Sequence, residues 1–182
     1  FLSDDERKNL LIACGESGNP HLYLVVVLAL TTGARKNEIL TLTWGDIDLA
    51  KQLIFLNQTK NGEIGTCTIA PEVMELLIEK KKEIIAERWL YTDFIFKSKF
   101  RDKPICIRKH FKEAKKRAGI TNFKFHDLRH SFASYLAMNG ASMSELMELM
   151  RHKSPSMCKR YAHLSTAHKS KVVNSMVEKM KL

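Results

Sequence analysis

Apolar and polar positions divide the chain into helical stretches interrupted once by a change of period. The opening SDDERKNLLIACGE, residues 3–16, sets Ser3 before an apolar-periodic run and Glu6 three residues on. That pair is a capping box, in which each side chain takes up an N–H that a helix start leaves orphaned, so it predicts a first helix. The run LYLVVVLAL, residues 22–30, is apolar on every side. It predicts a buried core helix from about residue 22 to 32, with Gly33 as its stop. It is well short of the roughly 18 apolar residues of a membrane span. RKNEILTLTW, residues 35–44, reads as a short helix turning into a strand. The period then drops to two in QLIFLNQTKNGEIGTCTIA, residues 52–70. Its β-forming residues flank Asn61-Gly62, the pair favoured in tight hairpin turns, which sets Lys60 at or beside the tip.

Helical period returns at residues 71–89, 108–118 and 127–138, with a brief strand DFIF at 93–96. Ser142 with Glu145 forms a second capping box, and Ser154 before Pro155 marks a further helix start. The last segment carries Val172, Val173, Met176, Val177 and Met180 on one helical face, most simply a core-packing stripe. The expected fold is mainly α with a small antiparallel β-sheet, an α+β class, and neither an internal repeat nor a low-complexity linker interrupts it.

Charge narrows the class of partner. Thirty Lys and Arg against twenty Asp and Glu leave a net charge of +10 in 182 residues, which favours a polyanion. The four cysteines, Cys14, Cys67, Cys106 and Cys158, are scattered without a C-x-x-C pair. A zinc ribbon or a disulfide framework is therefore disfavoured, and a reducing, intracellular setting fits. Neither an initiator methionine nor a signal peptide opens the chain, which begins as though cut from a longer protein just before a helix.

The densest chemistry is KFHDLRHSF, residues 124–132, which puts His126 and His130 four apart on one helical face. That spacing also serves zinc hydrolases of the H-E-x-x-H type, where the glutamate is the general base. Here the shorter Asp127 takes its place, Arg129 sets a positive charge between the ligands, and no third ligand is fixed by spacing. The metal reading loses, and neither a metal nor a cofactor is expected. H-x-x-R alone is not specific, so its meaning comes from the motifs around it.

Those motifs are ordered: TTGARKNEILTLTWGDID with Arg35, NQTKNGE with Lys60, FHDLRHSFAS, and RHKSPSMCKRYAHL with His152 and Tyr161. The series resembles the tyrosine recombinase family, the phage-integrase type of site-specific DNA recombinase, from about Leu2 to Leu164. The resemblance implies the catalytic-domain fold of that family and strand cleavage and rejoining through a 3′-phosphotyrosyl intermediate, without a metal. Tyr161 matches the nucleophile, Arg35 and Arg129 the two arginines that clamp the scissile phosphate, and Lys60 the hairpin general acid. His126 and His152 match the remaining members of the pocket. Glu38 matches an acidic residue that supports the first arginine, and His130 is read as structural, orienting a catalytic neighbour. The chemistry suits the residue types: guanidiniums match phosphate oxygens bidentately, and a neutral tyrosine needs its proton removed before it attacks.

Bland readings stand beside these. Arg35 near a helix start could be a surface cation, although the helix dipole disfavours it there unless an anion binds. Lys60 could be ordinary protection of a hairpin edge. Arg151 departs from the resemblance, since the family usually has glycine there. An arginine is strained if that position needs a positive φ; otherwise it contacts phosphate, or the turn differs. The implied whole is a single catalytic domain over 1–182 lacking an N-terminal core-binding domain. Its helical tail, from about 165 to 182, would dock on a neighbouring protomer. Implied partners are double-stranded DNA attachment sites and a homo-tetramer on DNA assembled from monomers, and the scheme admits accessory DNA-bending or directionality proteins. The implied location is the bacterial cytoplasm. The rival outside enzymology is a non-catalytic helical DNA-binding module.

Overall fold

The computed structural model describes residues 1–56, 65–86, 94–98 and 103–180. Local signals fix most helix boundaries. Helix α1, Asp4–Gly15, begins at the capping box: Ser3 N donates to Glu6 at 2.8 Å and Glu6 N to the Ser3 hydroxyl at 3.2 Å. Helix α2, Leu22–Thr32, is buried at nine of its eleven positions, as its all-round apolarity requires. It stops at Gly33, whose φ of 60° is the left-handed value that glycine adopts without a Cβ clash. Helix α3, Lys36–Leu40, follows after a turn of three residues.

The expected strand after α3 is much reduced. Thr43 forms an isolated antiparallel bridge with Phe94, and residues Trp44–Asp46 turn into a 3-10 helix. DFIF therefore supplies a bridge rather than a strand of its own, and Asp93 lies outside the described residues. The period-two region does form a sheet. Strands β1 (Ile47–Asp48), β2 (Leu53–Leu56) and β3 (Gly65–Thr68) pair antiparallel in that order, with Ile54 opposite Ile47 on one side and Cys67 on the other. Ile54, Leu56 and Cys67 point into the core. Lys60 and the Asn61-Gly62 turn lie outside the described residues, as do residues 87–89 of the expected fourth helix.

Helices α4 (Pro71–Ala86), α5 (Arg108–Arg117), α6 (Asp127–Met138) and α7 (Met143–Leu149) follow. Ser142 and Glu145 cap α7 reciprocally. Asp127 is the first residue of α6, and its carboxylate accepts the Lys124 N–H at 2.6 Å, closing the preceding turn. Ser154-Pro155 opens only a 3-10 turn, Pro155–Met157; a second 3-10 segment, Lys159–Ser165, leads into α8, Thr166–Met180. Val172, Val173, Met176 and Met180 on α8 are each more than half exposed, so the terminal stripe is not core packing.

Buried side chains form two clusters. The larger gathers α1, α2, the sheet, α4 and α5, and includes Leu128 of α6; the smaller holds Ala133, Ala137, Leu146, Met150, Cys158 and Tyr161. Helix α6 straddles both. It is anchored at its far side by Ser131, which accepts the Leu2 N–H at 3.1 Å, and by Tyr135, whose hydroxyl donates to Leu2 O at 2.9 Å. The functional side chains sit at the seam between the two clusters.

Candidate active site

Arg129 is the pivot of the seam. It projects from α6, is 4% exposed, and donates through its two terminal nitrogens to the carbonyls of Gly33 and Met150. The end of α2 is thereby tied to the end of α7 through one guanidinium. A buried guanidinium left without acceptors would be costly, so these carbonyls fix its plane as well as satisfy it. Burial, then the neighbouring charges of Arg151 and Arg35, bring its pKa down to about 10, which still leaves it charged at neutral pH.

Arg35 stands at the N-cap of α3, where the dipole opposes it. Glu38 resolves that conflict: one carboxylate oxygen accepts the Arg35 N–H at 2.7 Å and the other takes the Arg35 Nη1 at 2.6 Å. Glu38 thus holds both the backbone and the side chain of Arg35. Glu38 is itself buried, with Arg151 Nη2 3.7 Å from the same oxygen, Oε2, that accepts the Arg35 N–H.

Arg151 takes the strained option. Its φ is 53°, and it closes the end of α7 as a Schellman turn, with its own N–H to Glu148 O and the His152 N–H to Met147 O, both at 2.9 Å. A left-handed arginine costs about 1–2 kcal/mol relative to glycine. Its side chain, 13% exposed, turns inward with Nη1 2.7 Å from the Cys67 sulfur, while Nε is buried without a partner. Three guanidiniums thus surround one carboxylate, and the surplus positive charge calls for an anion.

That surplus opens onto a cavity of about 850 Å³ lined by Thr31, Arg35, Cys67, Phe132, Arg151 and His152, among others. His152 Nδ1 lies 3.2 Å from the Cys158 sulfur. Burial raises the pKa of Cys158, which keeps a thiol rather than a thiolate beside Nδ1. Burial and then the Arg129, Arg35 and Arg151 charges push the His152 pKa down to about 4. His152 is therefore a neutral ring beside permanent cations.

Tyr161 sits on the 3-10 segment, 5% exposed, in the smaller buried cluster and not on the cavity lining. Its hydroxyl lies 2.6 Å from His130 Nδ1. His130, read from sequence as structural, touches the phenol directly, and His126, which is exposed, packs its ring edge-on against His130 at 5.2 Å. Burial, then the His126 and Arg160 charges, lower the His130 pKa, while burial raises that of Tyr161. Among the described residues no three His, Cys, Asp or Glu side chains gather as metal ligands. No described helix is long and apolar enough to cross a membrane.

Arg35, Arg129 and His152 therefore converge, Glu38 holds the first of them, and His130 joins Tyr161 to the same helix as Arg129. Lys60 lies outside the described residues. Sequence reasoning missed the Gly33 and Met150 carbonyls, the Cys67 thiol and the Cys158 partner of His152. The one available signal was Arg151 at a glycine-like position.

The profile of the phage integrase family matches residues 1–168. The integrase of Salmonella phage P22 is 31% identical over 176 residues, covering 92% of this chain and 44% of that protein. The integrase of Haemophilus phage HP1 is 32% identical over 171 residues, with the same two coverages of 92% and 44%. The chain thus spans less than half the length of either relative. The solved catalytic domain of bacteriophage HP1 integrase superposes with a TM-score of 0.72 at 29% identity, covering 96% of this chain and 93% of that one. With a family profile running over nearly its whole length and relatives above 30% identity, the chain belongs to the phage integrase family.

Proposed function

We propose that the chain is the catalytic domain of a site-specific DNA recombinase of a bacteriophage or other mobile element. It cuts and rejoins strands through a 3′-phosphotyrosyl intermediate. The observation that carries this reading is the meeting of Arg35, Arg151 and His152 on one cavity, with the buried Arg129 charge acting on His152 and Tyr161 hydrogen-bonded to the helix that bears Arg129. A phosphodiester entering the cavity meets the Arg35 and Arg151 guanidiniums and the neutral His152 ring. These donors fit the non-bridging oxygens, where charge gathers as phosphorus becomes pentacoordinate. The Tyr161 oxygen bonds to phosphorus, the bond to the 5′ oxygen breaks, and Lys60 gives that oxygen its proton. Glu38 holds Arg35 in aim, and His126 assists from the exposed side of α6.

The rest of the assembly follows from the same reading: duplex attachment sites, four protomers on DNA, accessory DNA-bending proteins, action in the bacterial cytoplasm, and a DNA-binding domain N-terminal to this one. Helix α8 would dock on a neighbouring protomer through its exposed stripe.

The burial of Tyr161 away from the cavity lining favours the rival, a DNA-binding module without chemistry. Covalent trapping separates the two. Nicked duplexes with a randomised centre are incubated with the wild-type chain and with Tyr161→Phe, then resolved under denaturing conditions. The recombinase yields a DNA adduct mapped to Tyr161 and absent from the variant. A binder yields none from either protein while both retain the same salt-sensitive DNA affinity.

A further inference from the structure

We infer that His130 is the group that accepts the Tyr161 hydroxyl proton as the phenol attacks phosphorus. The inference rests on the recombinase reading and adds a catalytic residue to it. Its basis is geometric. A phenol is neutral at pH 7 and a poor nucleophile, so attack requires a base within hydrogen-bond reach. The Tyr161 oxygen has a ring nitrogen, His130 Nδ1, at 2.6 Å. No other side-chain hydrogen bond to that oxygen is present among the described residues. The step balances simply: oxygen bonds to phosphorus, the 5′ oxygen departs with a proton from Lys60, and the phenolic proton moves to His130 Nδ1. In rejoining, the 5′ hydroxyl attacks phosphorus and returns its proton to Lys60, and the imidazolium gives its proton to the departing phenolate.

The surroundings keep His130 in the form that can accept. His126 and Asp127 face it from the start of its own helix, and Arg160 and Tyr161 from the 3-10 segment. Burial, His126 and Arg160 favour the neutral ring; Asp127 opposes them. Arrival of an anionic phosphate adds negative charge nearby and raises the basicity of the ring as it is needed. The same helix holds Arg129 three atoms of backbone away at the adjacent position, so base and clamp move as one rigid unit.

The opposite role is a latch, in which His130 restrains Tyr161 in a withdrawn position. Two measurements decide. Nitrogen-15 spectroscopy of the histidine rings at pH 7.5 reports which His130 nitrogen carries the proton. A bare Nδ1 is expected, and a proton on Nδ1 overturns the base whatever the activity. The second is the single-turnover rate of adduct formation against pH for the wild type and His130→Gln, which keeps an acceptor but no basicity. Wild-type cleavage should be flat above pH 7. The variant should fall about 10²–10⁴-fold at neutral pH and then climb about tenfold per pH unit as the phenol itself ionises. Variant cleavage that is unchanged or faster, or slower with a flat profile, overturns the base and leaves a latch or a packing role. Equal DNA affinity and thermal unfolding of the two proteins guard against misfolding; if the variant unfolds, His130→Asn repeats the profile. A wild-type chain that traps no DNA while Nδ1 is bare overturns the recombinase reading, and the catalytic step with it, which is a different result from a failed His130→Gln profile.

Discussion

At the scale of single residues, the site is a set of cations held against their own repulsion. Arg151 shows the balance most clearly, since its backbone is left-handed and its best side-chain partner is a thiol, a weak acceptor. Arg151→Gly removes the strain and one like charge near Arg129, so the fold should gain about 1 kcal/mol, a rise of roughly 2–4 °C in Tm for a domain of this size. Adduct formation should fall about tenfold, the worth of one charge-assisted hydrogen bond. A lower Tm in calorimetry would mean that the contacts to Cys67 and Glu38 outweigh the strained φ. His152 supplies a pH dependence of defined sign. Its pKa is depressed from 6.5 to about 4 in the fold, so the unfolded chain binds the proton first. Stability contributed by the neutral ring is complete above pH 6.5 and is lost as the pH falls towards 4. His152→Asn should flatten that part of the Tm-versus-pH curve, and an unaltered slope would assign it to other groups.

At the scale of elements, the site depends on where helices stop. Gly33 ends α2 and presents its carbonyl to Arg129, and a Cβ built there would lie 2.4 Å from Phe132 Cδ1. Gly33→Ala combines left-handed strain with a clash against α6, each worth about 1–3 kcal/mol. The variant should melt well below the wild type. At temperatures where both are folded it should still trap less DNA, because the displaced carbonyl no longer orients Arg129; full trapping there would confine Gly33 to stability. Such stops were legible in the sequence because their causes are local: Ser3 with Glu6, Gly33 after an apolar run, Ser142 with Glu145. What escaped was set by tertiary contact. Thr43 meets Phe94 as a single bridge across a long stretch of chain, so neither side reads as the short edge it forms. The segment around Tyr161 is 3-10 rather than α, and nothing in its residues distinguishes the two. The order of the motifs gave Arg35, Arg129, His152 and Tyr161 as a set. Only the folded chain brings Cys67, on β3, against Arg151, or aims His130 at the phenol.

At the scale of the molecule, two features remain unused by the isolated domain: a net charge of +10 and the apolar stripe of α8. The charge predicts DNA affinity that drops steeply with salt, through the release of condensed counterions. The stripe makes a separate demand. Val172, Val173, Met176 and Met180 leave contiguous apolar surface on the last described helix, and such patches mark protein contacts. If α8 packed on its own domain, charge on that face would destabilise the monomer. If the face meets a neighbouring protomer, the monomer should not register the change. Val173→Asp combined with Met176→Glu should therefore alter unfolding free energy by less than about 0.5 kcal/mol, the usual range for exposed positions. The same pair should abolish higher-order complexes on DNA in sedimentation analysis while the first protomer still binds. A large loss of stability would return α8 to the domain's own core. Intact assembly would release it from any role between protomers, and the exposed stripe would then need another partner.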